Sequence, residues 1–284
     1  MAQCRLQSVF LSNDKVMNIF SNKIRLVTWN VNSVRVRIPL LLDLIKTESP
    51  DILLLQETKC ENTKFPEEEL ASLGYNVLSH GQKTYNGVAV LSKFPIDAHK
   101  TDFKNNPAPH QARFLETEIM LPIGYARVIS IYVPNGGEVN SENYHMKLEF
   151  LKAFSRYLDS IKKYDEFLII GGDFNVAKED IDVCEPSKYK DSTCCTIPER
   201  QALRTILNNG MCDLYRLVNP DNAEFSWWDY RGSSLKRNQG LRIDTIISSY
   251  NLTQHKVQCS IQKEWRARQS PSDHAPVMLE IMLP

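Results

Sequence analysis

Oxygen-bearing side chains stand where apolar runs stop. The run VTWNVN ends in Asn30 and Asn32, DILLLQET in Gln56 and Glu57, VISIYVPNG in Tyr132 and Asn135, and FLIIGGDFN in Asp173 and Asn175. GLRIDTII carries Asp244 among apolar residues, and SDHAPV sets Asp273 and His274 at the mouth of a further apolar run. Taken singly, most have an ordinary explanation. Asp173 after Gly171-Gly172 reads as a turn residue, and Glu57 as a cap of the turn that follows it. Asp244 is harder to explain, because a charge within a strand is costly unless it is paired. His274 is a suitable partner. Layered α/β folds gather their ligand sites at one end of the strands, so these strand ends together predict one pocket lip.

The chemistry open to such a lip is narrow. Hard oxygen ligands with a single imidazole suit Mg²⁺, with Mn²⁺ as a substitute, and not zinc. The chain has no G-x-x-x-x-G-K-[ST], which excludes P-loop phosphoryl transfer. It also lacks G-x-S-x-G, so a serine nucleophile of the α/β-hydrolase type has no support. Metal-assisted attack of water on a phosphoester remains.

The elements that must position these residues can be read from hydrophobic periodicity. Strands are predicted over 24–31, 51–56, 76–78, 87–91, 114–119, 126–133, 166–170, 243–248, 252–259 and 275–282. Helices are predicted over 36–45, 144–161 and 198–207. In the first and third helices a proline falls in the first turn, where it is tolerated. Several strand pairs lie too close together for a helical crossover, so the sheets should be mixed. The longest irregular stretches, 101–112 and 178–197, are of a length that usually serves function in a compact domain.

Composition sets the outer bounds. A chain of 284 residues fits one large domain and needs no disulfide or zinc to hold it together. Its 34 basic and 34 acidic residues cancel, which removes a generally adhesive nucleic-acid binder but leaves room for a local basic face. Seven cysteines without C-x-x-C predict a reducing, cytoplasmic setting. No apolar run approaches the ~20 residues of a membrane helix, so no membrane partner is expected. Residues 1–23 are a poor signal peptide, because Asn13, Asp14 and Lys15 interrupt their apolar stretches. They are read as a tail, or as sequence ahead of a true start at Met17, with one domain over 24–284.

The fragments TWNVNSVR, LLLQETK, YNGVAVLSK, YVPNG, GGDFNV, FSWWDYR, GLRID and SDHAPV, in this order, resemble the exonuclease III family of apurinic/apyrimidinic endonucleases. The likeness runs from about Ile24 to Leu283. It implies a four-layer α/β sandwich of the deoxyribonuclease I type, with two mixed β-sheets face to face and helices outside. It also implies a Mg²⁺-dependent DNA-repair phosphodiesterase, acting in base excision repair, that cuts the backbone 5′ to abasic sites and trims 3′ ends of duplex DNA. By resemblance, Glu57 holds the metal, assisted by Asn30 and Asp273, with Asp173 and Asn175 close by. Asp173 orients or deprotonates the attacking water. His274 grips the scissile phosphate, Asp244 holds the imidazole, and Tyr132 contacts the phosphate or the leaving oxygen. Asn135 and Lys59 are supporting contacts. A second reading keeps the same machinery on a phosphoinositide, lipid or RNA, and a third is a binding module with a dead site.

Residues 225–242, FSWWDYRGSSLKRNQGLR, interleave Trp227, Trp228 and Tyr230 with Arg231, Lys236, Arg237 and Arg242. In a protein of zero net charge this reads as a local surface for DNA phosphate and sugar, against the plainer reading of a solvated loop with two core tryptophans. Arg35 and Arg37, with Arg266 and Arg268, extend its rim. By resemblance, Trp227, Leu241 and Ile243 wall an apolar pocket for a sugar that has lost its base. The expected partner is duplex DNA with abasic sites or 3′ ends, and the expected state is a monomer.

Overall fold

β-Branched and leucine-rich segments of five to nine residues build most strands of the two sheets. The computed structural model describes residues 22–163 and 165–284. The tail expected over 1–23 lies outside the described residues up to position 21, and Lys23 already opens the first strand.

One sheet contains β1 (Lys23–Asn30), β2 (Ile52–Gln56), β3 (Asn76–His80), β4 (Val88–Ser92), β11 (Val257–Ile261) and β12 (Val277–Met282), in the order β11-β12-β1-β2-β4-β3. The other contains β5 (Ile96–Lys100), β6 (Phe114–Leu121), β7 (Gly124–Tyr132), β8 (Phe167–Asp173), β9 (Met211–Asp213) and β10 (Asp244–Ser249), in the order β5-β6-β7-β8-β10-β9. Each sheet has one parallel pair at its centre, β1 with β2 and β7 with β8, and every other pairing is antiparallel. A parallel pair needs a crossover. The two crossovers are α1 (Val34–Glu48) and α3 (Glu142–Ile161). The remaining helices are α2 (Glu67–Ala71), α4 (Pro186–Tyr189), α5 (Ile197–Asn208) and α6 (Leu214–Val218).

Period-two alternation sorts side chains into layers. Along β1, Leu26 faces the second sheet, packing with Leu54 and Val90 of its own sheet against Val128, Ile169 and Ile246 of the other. Val27 and Trp29 face the other way, against Leu41, Leu44 and Ile45 of α1. On the far side, Phe150, Phe154 and Leu158 of α3 cover Ile129, Leu168 and Ile170. Each such burial contributes about 1.5–3 kcal/mol. The order helix, sheet, sheet, helix is the four-layer sandwich expected. The sheets come close at Gly171, where a Cβ would lie 2.7 Å from Leu54 Cδ1 and 3.0 Å from Thr28 Cβ. No larger residue fits there.

Local chemistry sets the helix ends. Ser141 caps α3 by accepting from the Tyr144 amide, and Thr196 with Glu199 forms a capping box at α5. Three readings of the sequence need correction. The strand expected over 252–259 is two elements: Tyr250–Gln254 is a 3₁₀ turn in which only Leu252 is buried, and β11 starts at Val257. Strands β5 and β9 were not expected. β5 is an exposed edge strand, IDAHK, with no apolar alternation, and β9 is three residues long. The stretch 178–197 is only partly irregular, since it contains a 3₁₀ turn at Asp180–Asp182 and α4.

Candidate active site

The carboxyl ends of the two parallel pairs meet at one edge of the sandwich. β1 delivers Asn30, the residue after β2 is Glu57, β7 delivers Tyr132, and β8 delivers Asp173. From the antiparallel neighbours come Asp244, opposite Asp173 in the β8–β10 register, and His274, just before β12. Ligand atoms of Glu57, Asp173 and His274 all lie within 4.8 Å of one another. They line a cavity of about 320 Å³ together with Tyr132, Asn135, Asn175, Trp227, Leu241, Ile243 and Asp273. A larger cavity of about 580 Å³, at Lys162, Gly210 and Tyr250, sits at the opposite end of β10 and has no carboxylate in its lining.

Asn30 sets the spacing of the acids. Its amide nitrogen donates to Glu57 Oε1 at 2.8 Å and to Asp173 Oδ2 at 3.0 Å. Its amide oxygen accepts from the Asn32 N–H at 3.0 Å. The nitrogen of Asn30 is thus aimed at both acids, beside the place where the sequence puts it in support of the metal. Glu57 adopts φ 50° and Lys59 φ 52°, both in the left-handed region. Backbone bonds from Thr58 to Gly87 and from Lys59 to Asn86 hold that loop. Lys59 Nζ lies 2.8 Å from Glu57 Oε2 and donates to Asn32 at 2.5 Å, so its ammonium is directed at the metal-binding candidate. Burial opposes ionisation of Glu57, but Lys59 and the bond from Asn30 outweigh it and hold the carboxyl below the usual range. Asp273 is likewise low: burial works against it, and His274 with bonds from Trp227 Nε1 (3.0 Å) and Asn32 (2.8 Å) overcomes this.

His274 and the two buried acids behave as a group. Nδ1 is 2.8 Å from Asp244 Oδ2, and Nε2 is 3.8 Å from Asp173 Oδ2. Burial would lower the imidazole, but Asp244 and then Asp173 push it up well above 6.5, so it carries charge at neutral pH with both nitrogens protonated. Asp244 also accepts from the Ser226 hydroxyl at 2.6 Å, while its Oδ1 is buried without a partner. Burial, followed by the facing Asp244, raises Asp173 above the usual carboxylate range. That is the direction a proton acceptor working near neutral pH requires. Burial first, and Glu57 and Asp173 after it, keep the Tyr132 phenol protonated.

The donor set fits a hard divalent cation. It offers carboxylate oxygens at the cavity, and His274 has its Nδ1 turned to Asp244 with its protonated form favoured. The one thiol in the lining, Cys194, is pushed by burial up to about 11 and is not a thiolate.

Asn135 donates to Asn175 Oδ1 at 3.0 Å, and Asn175 donates to the Val133 carbonyl at 3.0 Å, so the two amides form a unit beside Asp173. Trp227 and Leu241 exchange backbone bonds, and Leu241 and Ile243 pack with Tyr189, Val183 and Cys195 above the site. Arg35, Arg231, Lys236 and Arg237 are exposed, with Arg231 turned onto Asp229.

Arg242 is the clearest departure from expectation. It is 3% exposed and pairs with Asp182 (2.8 and 3.1 Å) and Asp213 (2.8 and 3.3 Å). In an extended segment neighbouring side chains face opposite ways. With Leu241 and Ile243 turned to the cavity, Arg242 must turn inward, and it is not a DNA contact. Trp228 and Arg266 are buried as well, and Trp228 belongs to the core between the sheets. Gln56, read as part of the lip, instead joins the sheets beneath it through Thr28 (3.1 Å) and Ser130 (3.0 Å).

Sequence reasoning missed Arg113, Lys147 and Tyr85. Arg113 is buried with its guanidinium 4.6 Å from the Tyr132 ring centre and bonded to the Tyr132 carbonyl. Tyr85 is 69% exposed on the loop that braces Thr58 and Lys59. Its place as the first residue of YNGVAV was the available signal. Lys147 looked like an ordinary member of an amphipathic helix.

Comparison with known proteins agrees with this geometry. The sequence model of a family described as "Endonuclease/Exonuclease/phosphatase family" matches residues 27–274. Exodeoxyribonuclease III of Haemophilus influenzae is 32% identical over 264 residues, spanning 90% of this chain and 99% of the relative. A solved AP endonuclease from Archaeoglobus fulgidus superposes with a TM-score of 0.86 at 34% identity, over 90% of this chain and 98% of that one. A 3′ phosphatase from Neisseria, solved with a product DNA hairpin, does so with a TM-score of 0.87 at 34% identity, over 91% and 99%.

Proposed function

Because the chain belongs to the endonuclease/exonuclease/phosphatase family, we propose that it is a metal-dependent DNA-repair nuclease, cutting the backbone 5′ to abasic sites and removing 3′-terminal groups. The observation that carries the proposal is the approach of Glu57, Asp173 and His274 to within 4.8 Å beside an apolar cavity. Glu57 would hold a Mg²⁺ ion, with Asp273 nearby, and when bound the ion neutralises the phosphate oxygens.

The chain's own groups supply the rest. Asp173 takes a proton from the attacking water. The water oxygen forms a bond to phosphorus as the bond from phosphorus to the 3′ oxygen breaks. The His274 imidazolium donates to an equatorial phosphate oxygen, and Asp244 compensates its charge. Tyr132, held protonated, donates to the departing 3′ oxygen. Asn135 and Asn175 fix the water and phosphate in line. Trp227, Leu241 and Ile243 accept a sugar without a base, and an attached base would strike their walls. Arg35, Lys236 and Arg237 supply phosphate contacts on the rim.

The test is a duplex with one abasic site, incubated with Mg²⁺ and then with excess chelator. Nicking 5′ to the lesion that chelator stops is expected. Inertness on DNA together with hydrolysis of a phosphoinositide would overturn the reading. Trp227→Ala should lower the preference for abasic over intact duplex by about 10- to 200-fold, the worth of one apolar wall. Unchanged preference in competition with intact duplex would remove Trp227 from the pocket's function.

A further inference from the structure

We infer that Lys147, buried beneath the site and outside the substrate cavity, is a positioning residue that sets the two amides Asn135 and Asn175. The inference rests on the reading above that this site hydrolyses DNA phosphodiesters. Lys147 is fully buried on α3, 0% exposed. Its ammonium has three N–H groups, and each has an acceptor: the Asn135 carbonyl at 3.0 Å, the Asn175 carbonyl at 2.7 Å, and the Glu199 carboxylate. One cation thus grips both amide residues by their backbones.

The far end of this connection is equally fixed. Glu199 is also 0% exposed, and its oxygens accept from the Cys194 amide (2.9 Å), the Thr196 amide (3.0 Å) and the Thr196 hydroxyl (2.6 Å). It therefore ties the end of α5 and the loop at 192–196, which forms one cavity wall, to the backbone of the catalytic amides.

The backbone at Asn175 adopts φ 50°, a left-handed conformation in which asparagine is enriched among non-glycine residues, and the bond from Lys147 to its carbonyl fixes it in place. Asn175 Oδ1 receives Asn135 Nδ2, so a shift of either backbone moves the pair. The ion pair is neutral as a unit and fully enclosed, so its effect on the phosphate is through geometry and not through net charge. A buried pair can usually be exchanged for uncharged residues without loss of the fold. That separates a positioning role from a structural one.

The experiment uses the full chain with Lys147→Met and Glu199→Gln together, which removes both charges and keeps one of the two acceptor oxygens of Glu199. On the abasic duplex, kcat should fall by about 10- to 100-fold, as expected for a displacement near 1 Å. KM should stay close to wild type, and the cooperative folding transition in urea should remain, at a lower midpoint. In an Asn175→Ala background the same pair of changes should cost about threefold or less, because the amide it positions is gone. Unchanged kcat, an equal loss in the Asn175→Ala background, or loss of the folding transition in the double variant each overturns the inference. Failure of the wild-type protein to nick the duplex would instead overturn the underlying reading of the site.

Discussion

Asp173→Asn should reduce kcat on an abasic duplex by about 10²- to 10⁴-fold, the usual worth of a proton acceptor in the transition state. The asparagine has the same shape but only one acceptor atom. Asp173 now accepts at both oxygens, from Asn30 at 3.0 Å and from the Asn175 amide at 2.9 Å, so one of these bonds is lost with the charge. Affinity for DNA should not weaken, since a negative group beside the phosphate has gone. Stability should move the other way from activity. Asp173 faces Asp244 across β8 and β10 with both buried. Its raised pKa means that its ionised form is disfavoured in the folded state. Below the ordinary carboxylate range the acid is protonated folded and unfolded, and variant and wild type should be alike. As pH rises through the folded value the wild type loses stability that the variant keeps. Single-turnover nicking and urea midpoints at two pH values check both halves. A kcat within about tenfold of wild type would remove Asp173 as the proton acceptor.

The architecture explains why distant segments carry this chemistry. Each sheet is a parallel pair flanked by antiparallel strands on either side, and the two pairs end at the same edge. Asn30 and Glu57 follow one pair, Tyr132 and Asp173 the other, so each half of the sandwich contributes to one site. Gln56 bonded to Ser130 fixes the two halves together directly below it. The periodicity of the strands was enough to find these ends, because apolar runs that stop at acids and amides are visible without coordinates. What it could not give was which way each side chain turns. Gln56 terminates a strand as Glu57 does, yet one is buried between the sheets and the other faces the cavity. The backbone carbonyls that Lys147 grips leave no mark in side-chain composition at all. Edge strands such as β5 escape for a related reason: hydrogen bonds to one neighbour make them, and no buried face imposes a pattern.

Arg242→Leu tests one of the places where composition misled. The loop from Trp227 to Arg242 reads as a basic, aromatic DNA surface, and its last arginine stands between two cavity-lining residues. Removing the guanidinium leaves Asp182 with Arg216 at 2.6 Å and Asp213 with Lys178 only at 3.8 Å. Breaking a buried pair costs about 3–5 kcal/mol when the partner charge is left uncompensated, and with these two cations still in place the loss should lie at the lower end, about 3 kcal/mol. The urea midpoint should fall accordingly. pH separates this from lost packing. Burial opposes ionisation of Asp213, but Arg242 outweighs it and holds the carboxyl below its usual range. That contribution is present above the unfolded value of about 3.9 and is lost as pH falls through the folded one. Wild type should therefore weaken below pH of about 4. The variant lacks the Arg242 contribution at Asp213, so it should lose less stability over the same interval. Electrostatics of DNA binding should distinguish it from its neighbour Arg237. Arg237→Ala should shrink the slope of log affinity against log salt by about 0.9, one phosphate contact, whereas Arg242→Leu should leave the slope intact. A loss below about 1 kcal/mol in Arg242→Leu, or a salt slope reduced as in Arg237→Ala, would return Arg242 to the DNA surface.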